Sequence, residues 1–363
     1  MVEADDPHGY SAPRRMAAYR WFSRWLKGVE DSEPEHEIPV ASEEELWCTK
    51  SGQVSGLPGS ETVHSLNRAR AAGLAGAKGS PPSAADVART IGFERPASTL
   101  AVHPFGEIRR PGLRIEKLVY EMEAGNFVPA LLYLPASGAG KRPGTILVHG
   151  GGKSAAAAHA EAFAKAGMVV LSIDARDFGE RRGPADPSDR EWNRYFADYE
   201  TAMTAILLGR TLAGLRAADI VRGLDVLAAR PEVNADRLSA FGSEGGAVPL
   251  LHAAALDRRI RALALERMLI SYRAVVDRPV NRGIFEQVVP GVLKAYDLPS
   301  LAAMLAPRPV WIVDAADPAG QAVPEAQVSA AYSGGRHIHV ERTTPQGDTL
   351  APYRGFIAAA TRA

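Results

Sequence analysis

The stretch Ala240-Phe241-Gly242-Ser243-Glu244-Gly245-Gly246 stands between an expected strand at 237–241 and a helical pattern at 246–256. A strand read into a helix through small residues and a serine is the arrangement of a nucleophile elbow. Small neighbours let the backbone double back, and the N-terminus of the following helix favours negative charge. The usual spacing is Gly-x-Ser-x-Gly, and two frames compete for it. With Ser243 as the nucleophile, Gly245 takes the last position and Phe241 replaces the first glycine, which crowds the turn. Moving the frame by one restores both glycines, Gly242 and Gly246, and puts Glu244 where the nucleophile belongs. Ser243 is the candidate nucleophile; the plainer alternative is a strand–turn–helix glycine turn without chemistry.

Upstream, Val148-His149-Gly150-Gly151-Gly152 ends a short apolar run at 144–148. Glycines after a buried strand leave backbone N–H groups able to face a developing oxyanion. The candidate donors are the amides of Gly150 or Gly151, together with that of Glu244, the residue after the nucleophile.

Outward from these two turns the chain alternates strand and helix. Paired strands are expected at 114–121 and 127–134, and further strands at 144–148, 168–173, 237–241, 260–265, 309–313 and 337–340. Helices are expected at 156–167, 246–256, 298–305 and 353–361, and in a long stretch at 198–230 broken near Gly209 or Gly214. This rhythm predicts an α/β fold, a doubly wound, mostly parallel sheet with helices on both faces. Three regions follow: 1–58, an N-terminal helix at 14–27 with an acidic linker and a short strand at 37–40; 59–98, a helical connecting region; and 99–363, the α/β domain. In the second region helices are expected at 62–74 and 84–91, the latter capped by Ser83 after the break Gly79-Ser80-Pro81-Pro82.

Composition bounds the partners. The 363 residues are 46% hydrophobic and 23% charged, which suits a large core and excludes wholesale disorder. Lys plus Arg and Asp plus Glu are both 42, so there is no global basic excess of the kind nucleic-acid binding leaves. The one cysteine, Cys48, forms neither an internal disulfide nor a cysteine zinc site. No metal-ligand spacing, dinucleotide fingerprint or P-loop is present, so no cofactor and no metal are expected. No apolar run reaches membrane-spanning length. The opening Met1-Val2-Glu3-Ala4-Asp5-Asp6 is acidic where a leader is basic, which points to the cytoplasm for the chain as given, and to a secreted or periplasmic protein if an upstream leader was removed.

With Val148–Gly152, Asp174-Ala175-Arg176-Asp177-Phe178-Gly179, Ser243–Gly246 and Asp314-Ala315-Ala316-Asp317-Pro318 in this order, residues 99–363 resemble the α/β-hydrolase superfamily. Leu227-Ala228-Ala229-Arg230 into Pro231-Glu232-Val233, Ala253–Ile260 and Ala306-Pro307-Arg308-Pro309 are similar to its bacterial acetyl xylan esterase-like branch. The resemblance implies ester hydrolysis through an acyl-enzyme on acylated carbohydrates. It also implies a triad in the order serine, acid, histidine. Asp317 suits the acid, with Asp314 as competitor. The histidine should follow the last strand, yet Glu341-Arg342-Thr343-Thr344-Pro345-Gln346-Gly347-Asp348 contains none.

His337 and His339 lie within the last strand, His149 in the glycine turn, and His252 on the helix after the elbow; His36, His64, His103 and His159 have no distinguishing context. In Asp5-Asp6-Pro7-His8-Gly9-Tyr10, followed by an aromatic helix with Trp21, Phe22 and Trp25, the His-Gly pair resembles the end of a hydrolase domain. Either 1–27 is the tail of an upstream domain of a tandem protein, or it supplies His8 to the site of Ser243. Three functions remain open: an active serine ester hydrolase, a degenerate hydrolase-fold module that binds carbohydrate or supports a catalytic partner, and a peptidase of the prolyl-oligopeptidase type. Arg176, Arg181 and Arg182 either bind an acidic sugar or form a solvated basic loop.

Overall fold

The structure is a computed structural model; it describes residues 2–30, 33–75, 81–136, 140–183, 199–344, 348 and 350–362. The beginning of the expected helix at Asp198, the break residues Gly79 and Ser80, and Pro345, Gln346 and Gly347 of the last loop lie outside the described residues. The chain divides into two compact units, Met1–Thr62 and Val63–Ala363. Residues of the expected connecting region from Val63 onward belong to the large unit.

In the small unit, α1 (Ala12–Phe22) starts with proline in its first turn and continues as a wider turn to Lys27, ending at Gly28 in the left-handed region. Arg15 and Tyr19 both hydrogen-bond Glu35, and Trp21 packs on Trp25 at 5.6 Å between ring centres. No residue of α1 is buried. Residues 37–40 form no strand. His8 belongs to this unit and stands exposed.

The large unit opens with α2 (Val63–Ala75) and α3 (Ala84–Ile91). Ser83 and Asp86 cap α3 reciprocally, and its apolar face, Val87 and Ile91, joins the main core. The sheet holds β1 (Val102–Arg110), β2 (Leu113–Glu123), β3 (Asn126–Pro135), β4 (Arg142–His149), β5 (Val169–Ile173), β6 (Val233–Ser243), β7 (Ile260–Glu266), β8 (Val310–Val313) and β9 (Ile338–Glu341), in the order β1-β2-β3-β5-β4-β6-β7-β8-β9. The first three strands are antiparallel to their neighbours and the rest run parallel. The order reverses at β4, flanked by β5 and β6. In a parallel sheet the two connections leave such a point toward opposite faces and open a crevice beyond the carboxyl ends of the strands.

Two cores cover the sheet. On one face lie α3, α6 (Leu212–Ala229), α7 (Ala247–Leu256) and α9 (Leu298–Ala303); on the other lie α4 (Ala157–Lys165) and α11 (Arg354–Thr361). Helix α5 (Tyr199–Leu207) stops before Gly209, at φ 72°, and Thr211 caps α6 through the Gly214 amide, so the long helical stretch is broken as expected. The short helices α8 (Tyr272–Asp277) and α10 (Glu325–Ala331) complete the unit.

His252, on α7, is fully buried between the Val248 carbonyl oxygen at 2.8 Å and the Tyr296 hydroxyl at 3.1 Å. Burial lowers its imidazole from 6.5 to about 4. The unfolded chain takes up this proton first, so the stabilisation is complete above about pH 6.5 and is lost as pH falls toward 4. A displacement of that size corresponds to ~3 kcal/mol. Urea unfolding from pH 7 to pH 4 should show this loss in the native chain. The loss should be much smaller in His252→Gln.

Candidate active site

The turn after β6 is organised around Glu244, which sits at φ 53°. A non-glycine residue there is strained by about 1 kcal/mol or more, and this one is held by its neighbours. A methyl group built on Gly246 would lie 2.6 Å from the Val148 carbonyl oxygen, and one on Gly242 would lie 2.8 Å from a Leu250 methyl. The two positions that admit no side chain are thus two residues either side of Glu244. In the elbow spacing Gly-x-nucleophile-x-Gly, the apex is Glu244 and not Ser243.

Ser243 ends the strand. It is 1% exposed, and its hydroxyl donates to Glu266 Oε2 at 2.6 Å. Side chains alternate across a strand, so Ser243 faces the same side as Phe241, toward α4 and α11. There Phe241 meets the rings of His159, Phe163 and Tyr353 at 4.8, 5.2 and 5.4 Å. The phenylalanine that departed from the motif in the serine frame is a core residue.

Two of the three amides expected to form an oxyanion hole, those of Gly150 and Gly151, are occupied. Gly150 N–H donates to the Ser243 carbonyl oxygen at 3.1 Å, and Gly151 N–H donates to His149 Nδ1 at 2.8 Å. The turn needs glycine at Gly150 for another reason: a methyl group there would lie 2.7 Å from the Gly245 nitrogen. His149 Nδ1 is 4.0 Å from Glu244 Oε2, and Arg267 Nε is 3.6 Å from Glu244 Oε1. The Glu244 side chain is 48% exposed.

The acid position divides between the two candidates. Asp314, at φ 48° just after β8, accepts the Thr343 amide at 3.2 Å and the Thr343 hydroxyl, and pairs with Arg342 Nε at 3.2 Å. It faces the loop where the hydrolase resemblance places a histidine, and threonine stands there. Asp317 faces elsewhere: Oδ1 accepts the Ala319 and Gln321 amides at 2.8 and 2.9 Å, closing a turn, and Oδ2 pairs with Arg278. Ser243, Asp317 and an imidazole are not brought together in the large unit. The hydroxyl of Ser243 bonds Glu266, and among the described residues no histidine nitrogen hydrogen-bonds it. His337 bonds the Ala302 carbonyl and His339 stacks on Trp311.

The sequence reading missed a polar cluster. Glu266, the last residue of β7, accepts hydrogen bonds from Ser243 and the Tyr353 hydroxyl and lies 3.8 Å from His159 Nε2. Burial lowers the His159 imidazole, and Glu266 opposes that shift. Burial, and then Glu266, raises the Tyr353 phenol. Its one legible signal was position: Glu266 directly follows the expected strand at 260–265, at the edge where functional side chains gather.

A cleft of about 390 Å³ is lined by Gly150, Gly151 and Glu244 of the two turns, with Arg182, Arg267, Arg282, Glu286 and Asp317 among its other walls. Among the described residues no group of three or more His, Cys, Asp or Glu side chains could hold a metal ion. None of their helices is long and apolar enough to cross a membrane.

Residues 117–333 match the model of the Abhydrolase family. YtaP of Bacillus subtilis strain 168, whose name calls it a hydrolase, is 28% identical over 174 residues, which are 46% of this chain and 54% of YtaP. The chain therefore spans about half the length of that relative. A Bacteroides fragilis protein assigned as an acetyl xylan esterase shares the fold with a TM-score of 0.59 at 17% identity, covering 79% of this chain and 78% of its own. Acetyl xylan esterase 1 of Thermoanaerobacterium sp. JW/SL YS485 does so with a TM-score of 0.52 at 18% identity, covering 78% and 96%.

The apex assignment makes opposite predictions for neighbouring substitutions. Glu244→Gly should relieve the backbone and raise stability by about 1 kcal/mol. Gly246→Ala should lower it by about 2 kcal/mol or more, because the added methyl meets backbone. Denaturant midpoints of the two variants measure both.

Proposed function

The chain belongs to the Abhydrolase family, and from that premise we propose that it uses the family's cleft to bind carbohydrate and does not carry out acyl transfer through a serine. The observation that carries this reading is Glu244 at the strained apex, with the Ser243 hydroxyl turned inward to Glu266. Acyl transfer needs an exposed nucleophile with a base in hydrogen-bond reach. It also needs donors aimed at the charge that develops on the carbonyl oxygen. Here the apex carries a carboxylate, whose charge opposes an oxyanion beside it. The Gly150 and Gly151 amides are spent on internal partners. Asp314, in the acid position, is engaged by Thr343 and Arg342.

The cleft itself is retained. Its volume falls in the range of small-ligand sites, and six ionic side chains are among its walls. Saccharide as the ligand class follows from the likeness to enzymes of acylated xylan.

A second reading has its own observation. Ser243 Oγ lies 2.6 Å from Glu266 Oε2, close enough for the carboxylate to accept the serine proton directly. In that reading the protein is a carboxylic-ester hydrolase of short acyl esters of carbohydrates, with an acyl-enzyme on Ser243.

The two readings separate in one experiment. The first expects no labelling by a fluorophosphonate probe, no hydrolysis of p-nitrophenyl acetate above a Ser243→Ala control, and retained binding of xylo-oligosaccharides by calorimetry. Stoichiometric labelling at Ser243, with turnover lost in Ser243→Ala, would overturn it in favour of the second.

A further inference from the structure

A second cavity, of about 370 Å³, shares no lining residue with the cleft of Glu244. We infer that it binds a single-chain amphiphile with a carboxylate head, the alkyl chain inside the cavity and the head at Arg70 and Lys294. Three segments of the large unit form it. Helix α2 contributes Asn67, Arg70, Ala71 and Leu74, the i, i+3, i+4, i+7 stripe of one helical face. Helix α8 contributes Tyr272, Val275 and Val276 at the same spacing, and the chain from Val288 to Lys294 supplies the rest. That last segment contains Val288-Val289-Pro290-Gly291-Val292-Leu293, an unbroken apolar run in a connection between helices, where polar residues are the rule. Val289 and Val292 are buried, whereas Val288, Leu293, Val275 and Val276 keep part of their surface uncovered. Helix α2 packs on α8 and on residues 292–294, and Ala71 is the one buried residue described in it, so the contact is narrow and leaves apolar wall open beside it.

Charge selects the head group. The lining holds two cations, Arg70 and Lys294, and no carboxylate. Both are exposed, and among the described residues neither has a hydrogen bond or an ion pair. The acids nearest in sequence are already engaged. Asp277, next to Val276, pairs with Arg273 at 3.0 Å and lies 3.9 Å from Arg68. Asp297 is buried and accepts the amides of Tyr272 and Leu298 at 2.7 Å each. Arg68 and Arg70 are about 200° apart on α2, so the first is directed to Asp277 and the second to the cavity. The volume and the mainly aliphatic walls with a few polar groups at the edge suit a small apolar ligand. An alkyl chain covers the open valine surface, and a carboxylate supplies the charge that the two cations lack. A neutral alcohol does only the first.

The test is calorimetric titration of the full chain with monomeric octanoate, decanoate and dodecanoate, with decanol and decyltrimethylammonium as neutral and cationic counterparts, and with phosphatidylglycerol vesicles. Affinity should rise about threefold to fourfold for each added methylene. Decanoate should bind about threefold to fivefold more tightly than decanol, the scale of screened pairs with exposed cations, and this advantage should shrink with added salt. The cationic amphiphile should bind most weakly. Arg70→Gln and Lys294→Gln should each remove part of the decanoate advantage without changing the melting temperature. Val276→Trp, which fills the cavity from its wall, should abolish decanoate binding, as should Leu74→Trp on the more open face of α2, whereas Glu244→Gln in the cleft should leave it unchanged. Decanol or decyltrimethylammonium binding as tightly as decanoate would overturn the inference, and so would decanoate binding that survives in a folded tryptophan variant. Capture by the vesicles without binding of monomeric decanoate would overturn it in favour of a membrane contact. Failure of all three carboxylates to bind would end it, and the saccharide reading of the cleft would stand or fall separately.

Discussion

The site depends on how closely two turns approach each other. The turn after β4 and the turn after β6 meet with backbone against backbone, Gly246 on the Val148 carbonyl and Gly150 on the Gly245 nitrogen. No side chain fits in either gap, and rearranging backbone in a close-packed interior costs more than a rotamer change. The register of β4 with β6, His149 opposite Ser243, brings the two turns level. With both glycines fixed, the residue midway between Gly242 and Gly246 is forced into the left-handed region. That residue is Glu244, and the chemistry at the mouth of the cleft follows from it.

Buried charge anchors the rim around that contact. Helix α6 carries Arg216, Asp219 and Arg222 on its inward face, all nearly or fully buried. Arg216 bonds the Arg176 carbonyl and Glu286, and lies over the Phe178 ring at 3.8 Å. Asp219 accepts the Arg176 amide and the Arg181 side chain, while Arg222 holds the carbonyls of Ser98, Thr99 and Glu121. Such pairs gain little net stability over apolar packing, but losing one partner strands a charge at a cost of roughly 3–5 kcal/mol. They tie Arg176, Arg181 and Glu286 to the helix. The same network separates the arginines of one loop: Arg176 and Arg181 bind Asp219, and Arg182 lines the cleft.

Much of the fold was legible. The parallel strands β4, β5 and β8 read as short, mostly apolar runs because both their faces are covered, and β2 alternates because its side chains divide between core and surface. The elements that went unread are those whose side chains stay outside. Strand β1 is exposed along its whole length and contains Pro104 and Gly106, which only an edge strand with a bulge accommodates. Helix α10 buries Val328 alone, so it leaves no helical period. Conversely, Ile38 and Val40 have strand-forming side chains, but among the described residues no strand pairs with them, and residues 37–40 stay irregular.

The sequence by itself determined the α/β alternation, the placement of both glycine turns at strand ends, the break at Gly209 and the absence of a histidine between Glu341 and Asp348. These are properties of local pattern, which a one-dimensional reading retains. The choice between Ser243 and Glu244, between Asp314 and Asp317, and among the arginines of one loop needed the tertiary structure. In each case neighbouring residues have equal claims by type and spacing. What separates them is which side of a strand or turn each faces, and that is set by contacts from distant segments: the Val148 carbonyl against Gly246, Thr343 against Asp314, and Asp219 against Arg176 and Arg181.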